Sequence, residues 1–430
     1  ANQNNVNSQC YLGLIYYDNS FGHQNISKAI HYFTLAANQN NVNSQNFLGL
    51  IYYDNSFGHQ NISKAIHYFT LAANQNNVNS QYYLGVIYYD NSFGHQNISK
   101  AIHYFTLAAN QNNIKAQLYL GKIYGKGKYV NIDINKSIHY YTLAAEQNDA
   151  TAQFNLGLIY YENKFIPADI NKSIHYFDLA AKNNDVQALF NLGKIHEEDR
   201  FIQRDINKAI YYYSLASDKN DVNASYNLGL IYSNEKYDVY DINKAISYYK
   251  LAADKGHSNS QYNLGFIYIT KDINKSIYYY KLAAEQGHLY SQFNLGIIYL
   301  SESYGQQNID KSIYYLTQAA NQNFAEAQFI LGTFYYVAHH VPRDIRKSIF
   351  YLSLAAQQEH KLAQYNLAII YVNGKYIERD INKSINYFLL AANQNFPKAF
   401  LLLGFLYYKG EFVQQNTNLA IYYLSIAASK

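Results

Sequence analysis

The chain has 430 residues, 49% of them hydrophobic and only 15% charged, and carries a formal net charge of +4. That length exceeds one conventional core, so several domains or a repeat array is expected, and the apolar share excludes a disordered chain. A small charge without a basic block gives nucleic-acid binding no support, and the lone Cys10 excludes an internal disulfide or a cysteine zinc cage. No apolar run has the length of a membrane span and no signal peptide is visible. The abundance of Tyr, with no Trp or Met, reads as codon bias of an AT-rich genome rather than a tyrosine code.

In chain order, residues 1–36, 37–72 and 73–108 are nearly identical, and the same frame then continues with more divergence. A Leu-Gly pair recurs with its glycine at Gly13, Gly49, Gly85, Gly121, Gly157, Gly193, Gly229, Gly265, Gly296, Gly332 and Gly404, and Ala368 stands in once. Each step is 36 residues except Gly265 to Gly296, which is 31 because Ile-Thr-Lys-Asp replaces a longer inter-helix loop. The whole of 1–430 therefore reads as one array of about twelve units. Ala1-Asn2-Gln3-Asn4 matches the end of the helix preceding each later unit, so the sequence reads as a piece of a longer protein.

Each unit predicts two helices. In the first, Leu48, Ile51 and Tyr52 form a stripe at helical spacing, and the recurrent glycine marks close approach of a neighbouring helix. The second helix opens on Asn or Asp in all twelve units: Asn25, Asn61, Asn97, Asp133, Asp169, Asp205, Asp241, Asp272, Asn308, Asp344, Asp380 and Asn416. These are N-cap residues, whose side-chain oxygens satisfy orphan backbone N–H groups. A small residue, an Ile, aromatics and Leu-Ala-Ala follow, and the helix closes on a left-handed Asn or Gly such as Asn40, Asn148, Asn184, Gly256 and Gly287. Glu359 alone breaks that rule. Helix pairs this short bury their apolar faces only by stacking, which makes the fold class an all-α solenoid.

The segments AQFNLGLIYY (152–161) and DINKSIHYF.LAA (169–181) resemble the Sel1-like repeat, a relative of the tetratricopeptide repeat, and the likeness covers the whole chain. It implies a right-handed superhelix that scaffolds protein complexes, often beside catalytic domains such as protein kinases. The glycine-rich inter-helix loop of the family is clear only at Gly125-Lys126-Gly127, and Leu419 replaces the helix-two Lys in the last unit. The disulfides that pin bacterial members are impossible here.

Chemistry finds little support. His23, His59 and His95 in loops, and His31, His67, His103, His139 and His175 in second helices, recur because the units were copied, and read as structural rather than metal ligands. Most Asp residues are caps, and Glu197-Glu198-Asp199 reads as a short solvated loop. No nucleophile elbow, phosphate loop or unit of distinct chemistry emerges. The sequons at Asn25, its two copies, Asn135, Asn171 and Asn382 read as by-products of capping, which favours a cytoplasmic location.

No catalysis, cofactor, metal, nucleic acid or small-molecule substrate is expected; the partners are other proteins. By likeness to tetratricopeptide arrays, positions three before, one after and four after the Leu-Gly glycine line a concave groove. The candidate groove residues are Tyr17, Tyr53, Tyr82, Tyr89, Lys122, Tyr161, Lys194, Tyr336 and Tyr408. Two of the three sites that vary among the near-identical units, Cys10/Asn46/Tyr82 and Leu14/Leu50/Val86, fall at such positions. The expected function is a scaffold or adaptor binding a peptide or helix. Two competing readings are a regulatory arm of a multidomain enzyme such as a kinase, and a component of an endoplasmic-reticulum degradation complex.

Overall fold

The computed structural model describes residues 5–19, 22, 24–200, 202–337 and 342–429; Ala1-Asn2-Gln3-Asn4 and His23 lie outside the described residues. The twelve Asn and Asp residues each start a helix. Asn25 Oδ1 accepts from the Lys28 N–H at 3.0 Å, Asp133 from Lys136 at 3.0 Å, and Asn416 from Leu419 at 3.0 Å, with the nine others alike. Left-handed backbone closes these helices at Asn40, Asn148, Asn184, Gly256 and Gly287, and Glu359 is forced into the same region at φ 62°.

The chain divides into two compact units, 1–221 and 222–430. In the first, Val6–Tyr17 pairs with Ile26–Ala37, Val42–Tyr53 with Ile62–Ala73, and Val78–Tyr89 with Ile98–Ala109. Ile114–Lys126 pairs with Ile134–Glu146, Ala150–Tyr161 with Ile170–Lys182, and Val186–Glu197 with Ile206–Asp218. In the second unit, Val222–Ser233 pairs with Ile242–Ala253, Ser258–Tyr268 with Ile273–Glu285, and Leu289–Leu300 with Ile309–Asn321. Ala325–Val337 then pairs with Ile345–Gln357, Lys361–Asn373 with Ile381–Asn393, and Pro397–Lys409 with Thr417–Ala428. Among the described residues there is no strand.

The Leu-Gly glycine is where the two helices of a pair touch. A Cβ built on Gly157 would lie 2.6 Å from Phe177 Cδ1, and one on Gly193 would lie 2.6 Å from Tyr213 Cδ1. The close approach expected from sequence is thus to a ring of the partner helix in the same repeat. Where the small residue of the second helix is serine, its hydroxyl in most repeats donates to the carbonyl at the glycine position, as Ser173 does to Gly157 at 2.9 Å and Ser312 to Gly296 at 2.8 Å, whereas the buried Ser348 hydroxyl finds no partner among the described residues. The contact therefore satisfies a buried polar group while keeping the backbones close.

Consecutive repeats are joined by buried glutamines. Gln81, 1% exposed, donates to the Ala73 carbonyl of the preceding helix at 3.4 Å, and its Oε1 accepts from Gln111 Nε2 at 2.7 Å. The same bonds recur at Gln117 and Gln147 and at Gln364 and Gln394. Leu189, Ser225 and Phe400 stand in the glutamine's place in three repeats. Within each unit, successive first helices lie close together, for example Val42–Tyr53 against Val78–Tyr89 and Ser258–Tyr268 against Leu289–Leu300. No pair of successive second helices comes as near among the described residues, so the first helices form the inner side of the stack.

Histidine acts as a first-helix cap at three places. The Nδ1 atoms of His257, His288 and His360 accept from the N–H groups of Ser260, Ser291 and Ala363, each at 3.2 Å. Burial lowers all three imidazoles below their ordinary value of 6.5. A histidine with a depressed folded pKa binds more protons unfolded than folded. Its stabilisation is therefore present above about 6.5 and lost as pH falls through the depressed value.

Three outcomes are expected. Melting temperature should fall between about pH 7 and pH 5, and replacing His257, His288 and His360 by the Asn used at Asn41 and Asn77 should flatten that fall. Gly157→Ala should destabilise the chain by about 1–3 kcal/mol in urea melts, because its Cβ overlaps the Phe177 ring. Glu359→Asn should stabilise it by about 1 kcal/mol by relieving the left-handed strain.

Candidate partner-binding face

Apolar residues at helical spacing bury one side of each first helix and leave the other facing inward. The tyrosines four residues after the glycine are packed more than presented. Tyr17 lies between Phe47 and Phe57 of the next repeat, both rings at 5.6 Å, and Tyr53 between Tyr83 at 5.3 Å and Phe93 at 5.5 Å. Tyr89 sits between Tyr119 at 5.4 Å and Tyr129 at 5.5 Å. These rings staple each repeat to the first helix and the loop of its successor. Tyr336 packs edge-on against Tyr376 at 6.3 Å, whereas Tyr408 is 59% exposed.

Positions three before the glycine also face the next repeat. Cys10 and Asn46 are buried, and Asn46 Oδ1 accepts from Ser80 Oγ at 2.9 Å. Tyr82 is half-buried against Phe105 and Tyr119, and burial pushes its phenol up to about 12. Positions one after the glycine are open in four repeats and half-buried in the others. Lys122 is exposed, Phe266 is 62% exposed, and Leu230 and Phe405 are exposed as well.

The acidic run at 197–199 needs correction. Glu197 ends a helix and accepts the Tyr213 hydroxyl at 2.7 Å; Glu198 accepts the Tyr161 hydroxyl at 3.0 Å and pairs with Lys194 at 3.7 Å. The reason is local: the residue four after Gly193 is Glu197 instead of tyrosine, so the space beside Tyr213 takes a carboxylate. Burial, with the Glu198 bond, pushes the Tyr161 phenol up to about 12. The Tyr161 phenol thus donates rather than ionises. Of the predicted groove residues, Tyr161 and Lys194 come together, with the ammonium 5.8 Å from the ring centroid, and Tyr82 lies near Tyr53 of the preceding repeat.

Two further features escaped the sequence reading. The helix-two lysine lies over the tyrosine three after the glycine, Lys28 over Tyr16 and Lys64 over Tyr52, each at 5.0 Å, and that tyrosine stacks on one from the second helix. His196 takes this tyrosine's place in one repeat, stacked on Tyr212 at 5.7 Å. The second feature is an amide column two residues before the glycine: Asn155 and Asn191 in the first unit, and Asn227, Asn263, Asn294 and Asn366 in the second, all half-buried on the inner side. Their recurrence at the repeat period was the available signal. Among the described residues no group of three or more His, Cys, Asp or Glu could hold a metal ion, and no helix is long and apolar enough to cross a membrane.

The sequence matches the Sel1 repeat in twelve consecutive segments: 6–41, 42–77, 78–113, 114–149, 150–185, 186–221, 222–257, 258–288, 289–324, 325–360, 361–396 and 397–430. A protective antigen of uropathogenic Escherichia coli strains, which displays an SLR fold, is similar at 25% identity and a TM-score of 0.63, over 93% of this chain and 87% of that one. A Sel1 repeat protein from Oxalobacter formigenes is similar at 24% identity and a TM-score of 0.47, over 79% of this chain and 90% of that one. No curated protein matches the sequence. With every repeat accounted for by one pattern and by the helix pairs above, the chain belongs to the Sel1 repeat family.

Proposed function

We propose that this chain is a non-enzymatic scaffold that holds an extended segment of a partner protein against the inner, first-helix side of its repeats. Sel1-repeat solenoids generally serve as protein-interaction scaffolds. The observation that carries the reading is the pairing, along the inner side of the second unit, of Asn227, Asn263 and Asn294 with Leu230, Phe266 and Ile297 three residues on. Each amide offers a donor and an acceptor to a peptide backbone, and each apolar neighbour offers contact area to a side chain. Two of these apolar residues, Leu230 and Phe266, are exposed where packing would otherwise have covered them. The tyrosines Tyr17, Tyr53 and Tyr89 support that surface from behind by fixing the spacing of the repeats. We further read 1–430 as one functional array working in the cytoplasm, where sequon asparagines such as Asn25 serve only as helix caps.

The test is site-specific photo-crosslinking on the full chain. A benzophenone side chain at Leu230 or Phe266 should capture one discrete partner, and the same group at Tyr211 or Tyr278, exposed on second helices, should not. Equal capture from both sides would sink the reading. Phe266→Ala should weaken partner recovery without shifting the melt, since the ring is 62% exposed.

A further inference from the structure

The buried ring that rests on the Leu-Gly glycine points its far end at the residue four after that glycine. The two positions are matched across the repeats. Where the ring is Phe33, Phe69, Phe105 or Phe177, the facing residue is Tyr17, Tyr53, Tyr89 or Tyr161. Where the ring is a tyrosine, its hydroxyl needs a partner and the facing residue changes. Tyr213 donates to Glu197 at 2.7 Å, and Tyr249 shares a hydrogen bond of 3.0 Å with Ser233. Tyr280 faces Ile269 and instead accepts from Asn294 Nδ2 at 3.1 Å.

The fourth repeat breaks the match. Its ring is Tyr141, 7% exposed, and the facing residue is Gly125. Among the described residues the Tyr141 hydroxyl has no hydrogen-bond partner. The missing side chain leaves a cavity of about 210 Å³ between the fourth and fifth repeats. Tyr141, Lys122, Lys126, Lys164, Glu162 and Asn155 line it. Three lysines face one carboxylate there, and none of the three is in an ion pair among the described residues. The Tyr141 phenol borders this cavity with a hydroxyl free to donate, and a cationic rim attracts an anion.

We propose that this cavity takes an acidic side chain of the bound partner, its carboxylate accepting from the Tyr141 hydroxyl and facing Lys122, Lys126 and Lys164. The sixth repeat supplies the precedent inside the same molecule. There Glu197 delivers a carboxylate from its own helix to the equivalent phenol, while Gly125 leaves that place to a carboxylate from outside. Burial pushes the Tyr141 phenol up to about 12, so the hydroxyl stays protonated and able to donate. The inference rests on the partner-binding reading, but its test needs no natural partner.

The probe is a fluorescein-labelled alanine–glycine peptide with glutamate at every third position, compared with its glutamine and phosphoserine counterparts by anisotropy on the full chain at low salt. Tyr141→Phe removes only the hydroxyl, and the phenylalanine of five other repeats shows that the fold accepts it. Gly125→Glu installs the carboxylate of the sixth repeat; its Cβ would lie 2.8 Å from Ser137 Oγ, but the fifth repeat keeps Tyr161 beside the equivalent Ser173, so the hydroxyl can give way. The glutamate peptide should bind about tenfold more tightly than the glutamine peptide, lose about tenfold with Tyr141→Phe, and lose binding altogether with Gly125→Glu. Equal binding of glutamate and glutamine peptides overturns the proposal, as does indifference to both variants when their melts match wild type. Sensitivity of the phosphoserine peptide alone overturns the carboxylate assignment in favour of phosphate. Crosslinking at Phe266 with no peptide effect would reject this pocket and leave the scaffold reading standing.

Discussion

The contact between a second-helix side chain and the Leu-Gly glycine governs the rest of the molecule. With no Cβ at Gly157, the Phe177 ring lies against the first helix, and the two backbones come close enough for Ser173 to donate to the glycine carbonyl. That separation fixes where the ring ends, and so decides what the residue four beyond the glycine must be. A phenylalanine leaves room for a tyrosine that reaches on to the next repeat. A tyrosine demands an acceptor or a donor of its own. The eleventh repeat, with Ala368 in place of the glycine, also departs here: Val372 replaces the stapling tyrosine beside Phe388, and both border a cavity of about 400 Å³.

Stacking between repeats rests on a different physics. The faces between repeats are not purely apolar, because Gln45, Gln81, Gln117 and Gln153 are buried with their amides bonded to a preceding carbonyl and a following side chain. A buried amide is acceptable only when both ends are satisfied, and both ends are satisfied only in one register. The glutamines therefore specify the repeat-to-repeat register that a greasy interface would leave loose. Tyrosine staples such as Tyr53 act alongside them, adding area without adding an unpaired group.

These two constraints separate the residues that build the stack from those left over. Positions three before and four after the glycine are taken up by neighbours in most repeats, though not at Leu401 and Tyr408 of the last one. Position one after the glycine lies on the arc of the first helix that is open at Lys122, Leu230, Phe266 and Phe405, and the amides two before it are half-buried beside that arc, some bonded within the stack as Asn294 is to Tyr280. Lys122, Leu230 and Phe266 fall on that arc, whereas Tyr53 and Tyr89 do not. The fourth and sixth repeats carry the strongest chemical individuality, at Gly125 and Glu197, and both use the position that holds a tyrosine in six other repeats.

Periodicity, capping and spacing made the helix pairs, the twelve second-helix caps and the left-handed closures legible from the sequence. Each is a short-range rule, settled by residues a few positions apart. Lys122 and Lys194 became candidates only through the likeness to tetratricopeptide arrays, which singles out the residue one after the glycine. Which aromatic rings are surface and which are mortar was decided only in the tertiary structure. Tyr17 and Tyr408 occupy the same sequence position, yet one is held between Phe47 and Phe57 and the other is 59% exposed. The partner of a side chain thirty or more residues away in the chain depends on how layers meet. For the same reason the Lys–Tyr stacks, the glutamine ladder, the roles of Glu197 and Glu198 and the vacancy beside Tyr141 became visible only once the repeats were packed together.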